Sequence, residues 1–234
     1  MPATRSRATS DIWQILRDGG GEATATATLT LDQSFTTGLA GNYTVAMACK
    51  RDGDDAAVAS TGVGLSRQVQ MPLDSSITCT WTNAPTVSLA VLKWVVVRSD
   101  PVNGSTNPKA IPGAILEYQV RVTNPGGVVD SDSVQVSDPL PVQTEFLIED
   151  INGSGSGSGP VRFTDSATDP SGLAYSYPAD IVFSSNNGST WDYVPSDPDA
   201  DGIDPNVTDI RINPKGDFVG AGANFTLSFR VRLK

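Results

Sequence analysis

Residues 115–124 read ILEYQVRVTN. Tyr118, Val120 and Val122 fall on every second position, so in an extended chain they share one face. The same alternation continues on either side. Upstream, TVSLAVLKWVVVRSDP (residues 86–101) is an apolar strand stopped by Asp100-Pro101, and VNGSTNPKAIPGA (102–114) is a loop of turn residues. Downstream, SDSVQVSDPLP (131–141) and TEFLIEDI (144–151) are further strands, and NGSGSGSGP (152–160) is a low-complexity turn. DIVFSSNNGSTWDYVP (180–195) reads as a hairpin turning at Asn187-Gly188, and VTDIRINP (207–214) and NFTLSFRVRLK (224–234) complete the chain as strands.

The first third follows the same pattern. EATATATLTLD (22–32) alternates small or apolar residues with Thr, and NYTVAMACK (42–50) places Tyr43, Val45, Met47 and Cys49 on one face. RDGDD (51–55) is a turn, LSRQVQMPL (65–73) a strand, and SSITCTWTNAP (75–85) puts Ile77, Cys79 and Trp81 on one face. Before this, Ser10 would cap a short helix over residues 11–17, although DIWQIL also fits an extended segment. The pattern predicts an all-β chain of two β-sandwiches in tandem. Residues 22–86 form the smaller, residues 87–234 the larger, and residues 1–21 a tail or assembly segment.

Composition narrows the function. The chain has 234 residues, 38% of them hydrophobic, a mean hydropathy of -0.15, a formal charge of -10 and a pI near 4.3. That charge repels nucleic acid and anionic membrane, and no run is long enough to span a bilayer. The chain lacks histidine, which removes Ser-His-Asp and Cys-His nucleophile systems and most catalytic zinc sites. An enzyme is therefore not expected. The two cysteines, Cys49 and Cys79, lie thirty residues apart in strand-like runs; they suit a disulfide or two buried thiols. A disulfide favours an oxidising compartment. Residues 1–21 carry no apolar signal region, which leaves two readings: the native start is trimmed or mis-assigned, with an export signal upstream of Met1, or the chain is not exported.

Three resemblances sharpen these expectations. Pro112-Gly113, then Tyr118-x-Val120-x-Val122-x-Asn124-x-Gly126, then Val134-x-Val136-x-Asp138-x-Leu140-Pro141 resemble the bacterial conserved repeat domain, an Ig-like surface-protein module, over residues 88–150. ITCTWTNAP (77–85) resembles the closing strand of small prealbumin-like sandwiches that precede such repeats; that likeness implies pairing of Cys79 with Cys49. SSNNGSTW (184–191) resembles the Asp-box hairpin with Asn186 in place of Asp, a structural motif whose Trp folds into the core.

Candidate sites are few. Asp197-x-Asp199-x-Asp201-Gly202 opens like a calcium loop, but its twelfth position is Thr208, leaving Asp204 or Asp209 to close the shell. The alternative is a solvated acidic turn; no cofactor is expected, with calcium the one candidate these residues offer. Lys93, Glu117 and Asn224 lie on first, middle and last strands, an order that resembles pilin sandwiches whose Lys and Asn are joined by an isopeptide bond. The six N-x-S/T sequons, at Asn42, Asn103, Asn152, Asn187, Asn206 and Asn224, are read as turn composition. Residues 22–32 could complete a neighbour's sheet by strand addition or serve as a first strand of their own domain. The expected function is an exported bacterial structural protein, a subunit of a surface fibre, layer or adhesin, with itself or other surface proteins as partners. The alternative is a calcium-dependent glycan- or protein-binding module.

Overall fold

The computed structural model describes residues 12–15, 27–35, 38–72 and 75–234. Among these residues there is no α-helix; apart from a 3-10 turn at Ala40–Asn42 all regular structure is β-strand. The chain divides into two compact units, the first reaching to Val87 and the second running from Ser88 to Lys234. No helix among the described residues is long and apolar enough to cross a membrane.

The first unit contains β1 (Ile12–Ile15), β2 (Ala27–Asp32), β3 (Tyr43–Arg51), β4 (Ala57–Val58), β5 (Ser60–Thr61), β6 (Ser66–Met71) and β7 (Ile77–Pro85). They form two antiparallel sheets, ordered β1-β7-β3-β4 and β2-β6-β5. Of the two readings of DIWQIL, the extended one holds over residues 12–15: β1 pairs with β7, with Trp13 opposite Cys79. A stretch this short closes too few helical hydrogen bonds to offset nucleation, whereas the edge of β7 offers a ready ladder. In β2, residues 27–32 pair with β6 as a strand of their own unit; residues 22–26 of the proposed donor segment lie outside the described residues.

Alternation in β3, β6 and β7 buries Cys49, Val69, Met71, Ile77 and Cys79, with Leu29, Leu31, Met47 and Val58 packed against them. Trp81 is wholly buried. Cys49 and Cys79 stand directly opposite each other on β3 and β7 and form a disulfide with Cα atoms 4.0 Å apart. The bond therefore staples two neighbouring strands of one sheet.

The second unit comprises β8 (Ala90–Ser99), β9 (Ile115–Thr123), β10 (Val136–Pro139), β11 (Thr144–Leu147), β12 (Val161–Asp165), β13 (Ile181–Ser184), β14 (Ile203–Asp204), β15 (Asp209–Ile212) and β16 (Asn224–Leu233). The large sheet runs β14-β11-β16-β9-β8, with β12 also on β16, and the small sheet runs β10-β15-β13. β16 pairs with β9 along one side, and with β12 and β11 in succession along the other. Its inner face carries Phe225, Leu227, Phe229 and Val231, all buried. They meet Val120 and Val122 of β9, Phe146 of β11 and Val161 of β12 in a sandwich-like core. Phe146 reaches across to Phe183 of the small sheet, ring centroids 5.7 Å apart.

Turns close the frame. Asn124 is wholly buried; its side-chain nitrogen donates to the carbonyls of Gly127, Phe218 and Val219, and its oxygen accepts from Gly126 N–H. Any Cβ at Gly220 would lie 2.4 Å from the Gly126 carbonyl oxygen, so only glycine fits there. Asn187 and Gly188 both have positive φ, the backbone a tight hairpin turn requires.

Removing the disulfide by Cys49→Ala with Cys79→Ala, or by reduction, is expected to destabilise the first unit by about 3–4 kcal/mol through the reopened thirty-residue loop. Calorimetry checks this: the transition of the first unit falls and that of the second unit stays in place.

Candidate functional site

The acidic stretch of residues 196–209 folds as a loop around its own backbone. Asp197 accepts the N–H groups of Asp201 and Gly202, and Asp201 accepts Ile203 N–H and an ion pair from Arg232. Asp204 is wholly buried on β14, where it accepts the Tyr193 hydroxyl, Ser196 N–H and Asn206 N–H. Burial and that bond push the Tyr193 phenol up. Asp199 is exposed, and Asp209 lies on β15 beside Gly188. No group of three or more His, Cys, Asp or Glu side chains able to hold a metal occurs among the described residues. Asp197, Asp201 and Asp204 are drawn away from a shared centre because each short side chain serves a nearby N–H, phenol or guanidinium.

Lys93, Glu117 and Asn224 are likewise not brought together. Lys93 and Glu117 point to opposite faces of the large sheet. Lys93 faces inward from β8, its Nζ 2.7 Å from Asp138 Oδ1 and 4.3 Å from the centre of the Tyr118 ring. Asn224 opens β16 and donates to the Gly222 carbonyl. Burial pushes the Asp138 carboxyl up, opposed by the hydrogen bond and charge of Lys93. The other Asp138 oxygen is buried without a partner.

Glu117 faces the opposite way, onto the outer surface of the large sheet, yet its side chain is 1% exposed. Three arginines cover it. Arg98 donates through Nε and Nη2, at 2.9 and 2.6 Å. Arg162 Nη2 lies 3.0 Å from Oε1 and Arg230 Nε 3.5 Å from Oε2, and Gln119 adds a bond of 3.1 Å. Burial alone would push Glu117 up; the hydrogen bonds and charges of Arg98 and the charge of Arg162 prevail and hold it below the ordinary glutamate range. Its bonding in turn raises Arg98.

The fold explains this convergence. Glu117 stands opposite Arg230, and Arg162 opposite Ser228 one row along. Arg98 arrives through a register shift between Val97 and Ser99, where β8 holds one residue more than β9. Such a bulge re-aims a side chain. Further along the same face Arg121 stacks over Trp94, 5.6 Å from its centroid, and Arg232 pairs with Glu145 and Asp201. The site thus places five guanidiniums on one sheet face, where Glu117 and Glu145 are the strand acids that point the same way. Alternation in VRVTN and SFRVRLK marks Arg121, Arg230 and Arg232 as outward, but pairing brings Arg98 and Arg162 to them, and no spacing in the sequence announces that.

Three other features lie apart from this face. Asp100 accepts backbone N–H groups of Val102, Asn103 and Lys109 and the Asn103 side chain, tying down the loop after β8. The Asn103 backbone bond is the largest cause that holds its pKa at about 2. In the first unit a cavity of about 600 Å³ is lined by Thr28, Arg51, Val58, Thr61, Gln68 and Gln70 among others; Arg51 is itself paired with Asp54. In the hairpin that resembles an Asp-box, Asn186 bonds Ser184 and Thr190. Trp191 is half-buried there under the Arg211 guanidinium, 3.6 Å from the ring centre.

Compared with protein-family models and with curated proteins, the chain matches none.

Glu117→Gln keeps the shape but leaves three arginines without their counter-charge. The variant is expected to lose about 2–3 kcal/mol of stability at neutral pH, less than for a fully buried pair because the arginines reach solvent. Because Glu117 is lowered in the fold, its contribution is complete above the ordinary glutamate pKa of about 4.3 and lost as pH falls through the lower folded value. Denaturant unfolding of both proteins at neutral and acid pH should show the gap closing in acid.

For Asp100 the contribution is complete above the ordinary aspartate pKa of about 3.9, and it is lost as pH falls through about 2. Asp100→Asn is expected to speed amide hydrogen exchange at Val102, Asn103 and Lys109 at neutral pH, measured by NMR.

Proposed function

We propose that the chain is an exported structural protein of the bacterial cell surface, a subunit of a fibre, layer or adhesin whose work is done at its interfaces. The observation that carries this reading is how three of the buried acids are used. Both carboxylate oxygens of Glu117, Asp100 and Asp204 accept hydrogen bonds from the frame itself. A general acid or base needs an oxygen aimed at a reacting group, and saturated carboxylates serve rigidity instead. The Cys49–Cys79 disulfide supports an oxidising destination. The all-β frame suits a spacer, and the resemblance of residues 88–150 to the conserved repeat domain offers tandem surface modules as an analogy.

Expression from its native reading frame, followed by cell fractionation, is expected to place the protein at the surface or in the medium with Cys49 and Cys79 oxidised. Electron microscopy of the concentrated protein is expected to show repeating assemblies. A cytoplasmic protein with free thiols that stays monomeric would reject the proposal.

A further inference from the structure

The second unit separates its charges. It has ten Lys and Arg against eighteen Asp and Glu, a net of -8. Half of its basic residues nevertheless lie on the outer face of the large sheet: Arg98, Arg121, Arg162, Arg230 and Arg232. Glu117 holds three of these guanidiniums in place but neutralises only one charge. Arg162 and Arg230 each direct a single donor at it, out of the five a guanidinium carries. Their side chains are 32% and 35% exposed, and that of Arg98 43%. Beside them β8 presents Trp94, half-buried, and Leu92, 59% exposed. Pre-ordered arginines beside exposed apolar surface are the usual makings of a protein contact.

One end of the same unit has the opposite character. The loops at 129–133, 165–172 and 216–224 are joined by backbone hydrogen bonds, among them Asp132 N–H to Gly216, Val219 N–H to Ser171 and Asn224 N–H to Asp169. They present Asp132, Asp165, Asp169 and Asp217, all exposed, and carry no Lys or Arg of their own, with Lys215 the neighbouring base. Among the described residues no ion pair joins these four aspartates to the arginine face.

We propose that the arginine face of the large sheet docks the acidic loop end of a second copy of this chain. The two surfaces differ, so the contact is head-to-tail and propagates unless its rotation closes a ring. Charge complementarity selects this occupant: each copy carries both halves of the match, and neither half is fully neutralised within its own copy, since Glu117, Glu145 and Asp201 offset only part of the charge of the five arginines. The proposal rests on the reading of the chain as a self-assembling subunit and names the surface through which it assembles.

Sedimentation velocity of the full chain at about 20 mM and about 500 mM sodium chloride, salt levels on either side of a screening length of about 10 Å, tests it. The wild type is expected to associate at low salt, with a dissociation constant at least about ten-fold weaker at high salt. Arg121→Glu with Arg162→Glu, and separately Asp169→Lys with Asp217→Lys, are each expected to abolish association. Mixing the two variants is expected to restore it, a rescue that misfolding cannot produce. Assembly that is indifferent to salt and to both variants overturns this interface while leaving the structural role standing. A wild type that is monomeric at both salt levels overturns the interface and counts against the assembly reading too. Binding of poly-glutamate without self-association overturns the choice of a second copy.

Discussion

β16 pairs on both sides, and that constraint organises the second unit. A strand with both edges in ladders has no freedom to rotate, so its side chains must alternate between two faces. Phe225, Leu227, Phe229 and Val231 therefore enter the core, while Thr226, Ser228, Arg230 and Arg232 face outward. Burial of each of the four apolar side chains contributes about 1.5–3 kcal/mol. A slip of one residue would reverse both faces, exposing the aromatics and burying two guanidiniums. The same register places Arg230 opposite Glu117, so packing on one face builds the charged cluster on the other.

The two buried ion pairs of this unit do different work. Glu117 sits under partly exposed arginines that keep much of their hydration, so the carboxylate is desolvated with most of its lone pairs satisfied. Asp138 is buried between the sheets with Lys93 as its one described cation and one oxygen unpartnered. Lys93 belongs to β8, which ends the sheet. A charge pointing inward from an edge strand discourages that edge from pairing with a foreign strand. β8 is long and, apart from Lys93, Arg98 and Ser99, apolar, which makes such protection useful and makes face-to-face contact a better route to assembly than edge-to-edge addition.

Much of the frame is legible from period two alone. Tyr118, Val120 and Val122, or Ile77, Cys79 and Trp81, declare their shared faces without any tertiary information, and the Asn187-Gly188 turn declares itself by the backbone it needs. Short strands escaped: Val161–Asp165 follows a glycine-serine turn and has too few alternations to stand out, and Ile203–Asp204 is a two-residue pairing inside the acidic loop. The acidic loop itself shows the limit of motif reading. Its carboxylates have the spacing of a cation shell, but nearby N–H groups, the Tyr193 phenol and Arg232 meet most of them first.

Local chemistry was therefore enough to specify an all-β chain, its turns, the inward set of each strand and two cysteines placed to meet. Those properties depend on φ/ψ preference and on alternation, which act over a few residues. The partners of Glu117 and Lys93 depended on strand order, register and the bulge at Arg98, which join residues up to 113 positions apart. Such distances carry no signature in a single chain. Only closure of the sheets decides which arginine lies over which carboxylate, and with it the charge of the face the protein presents.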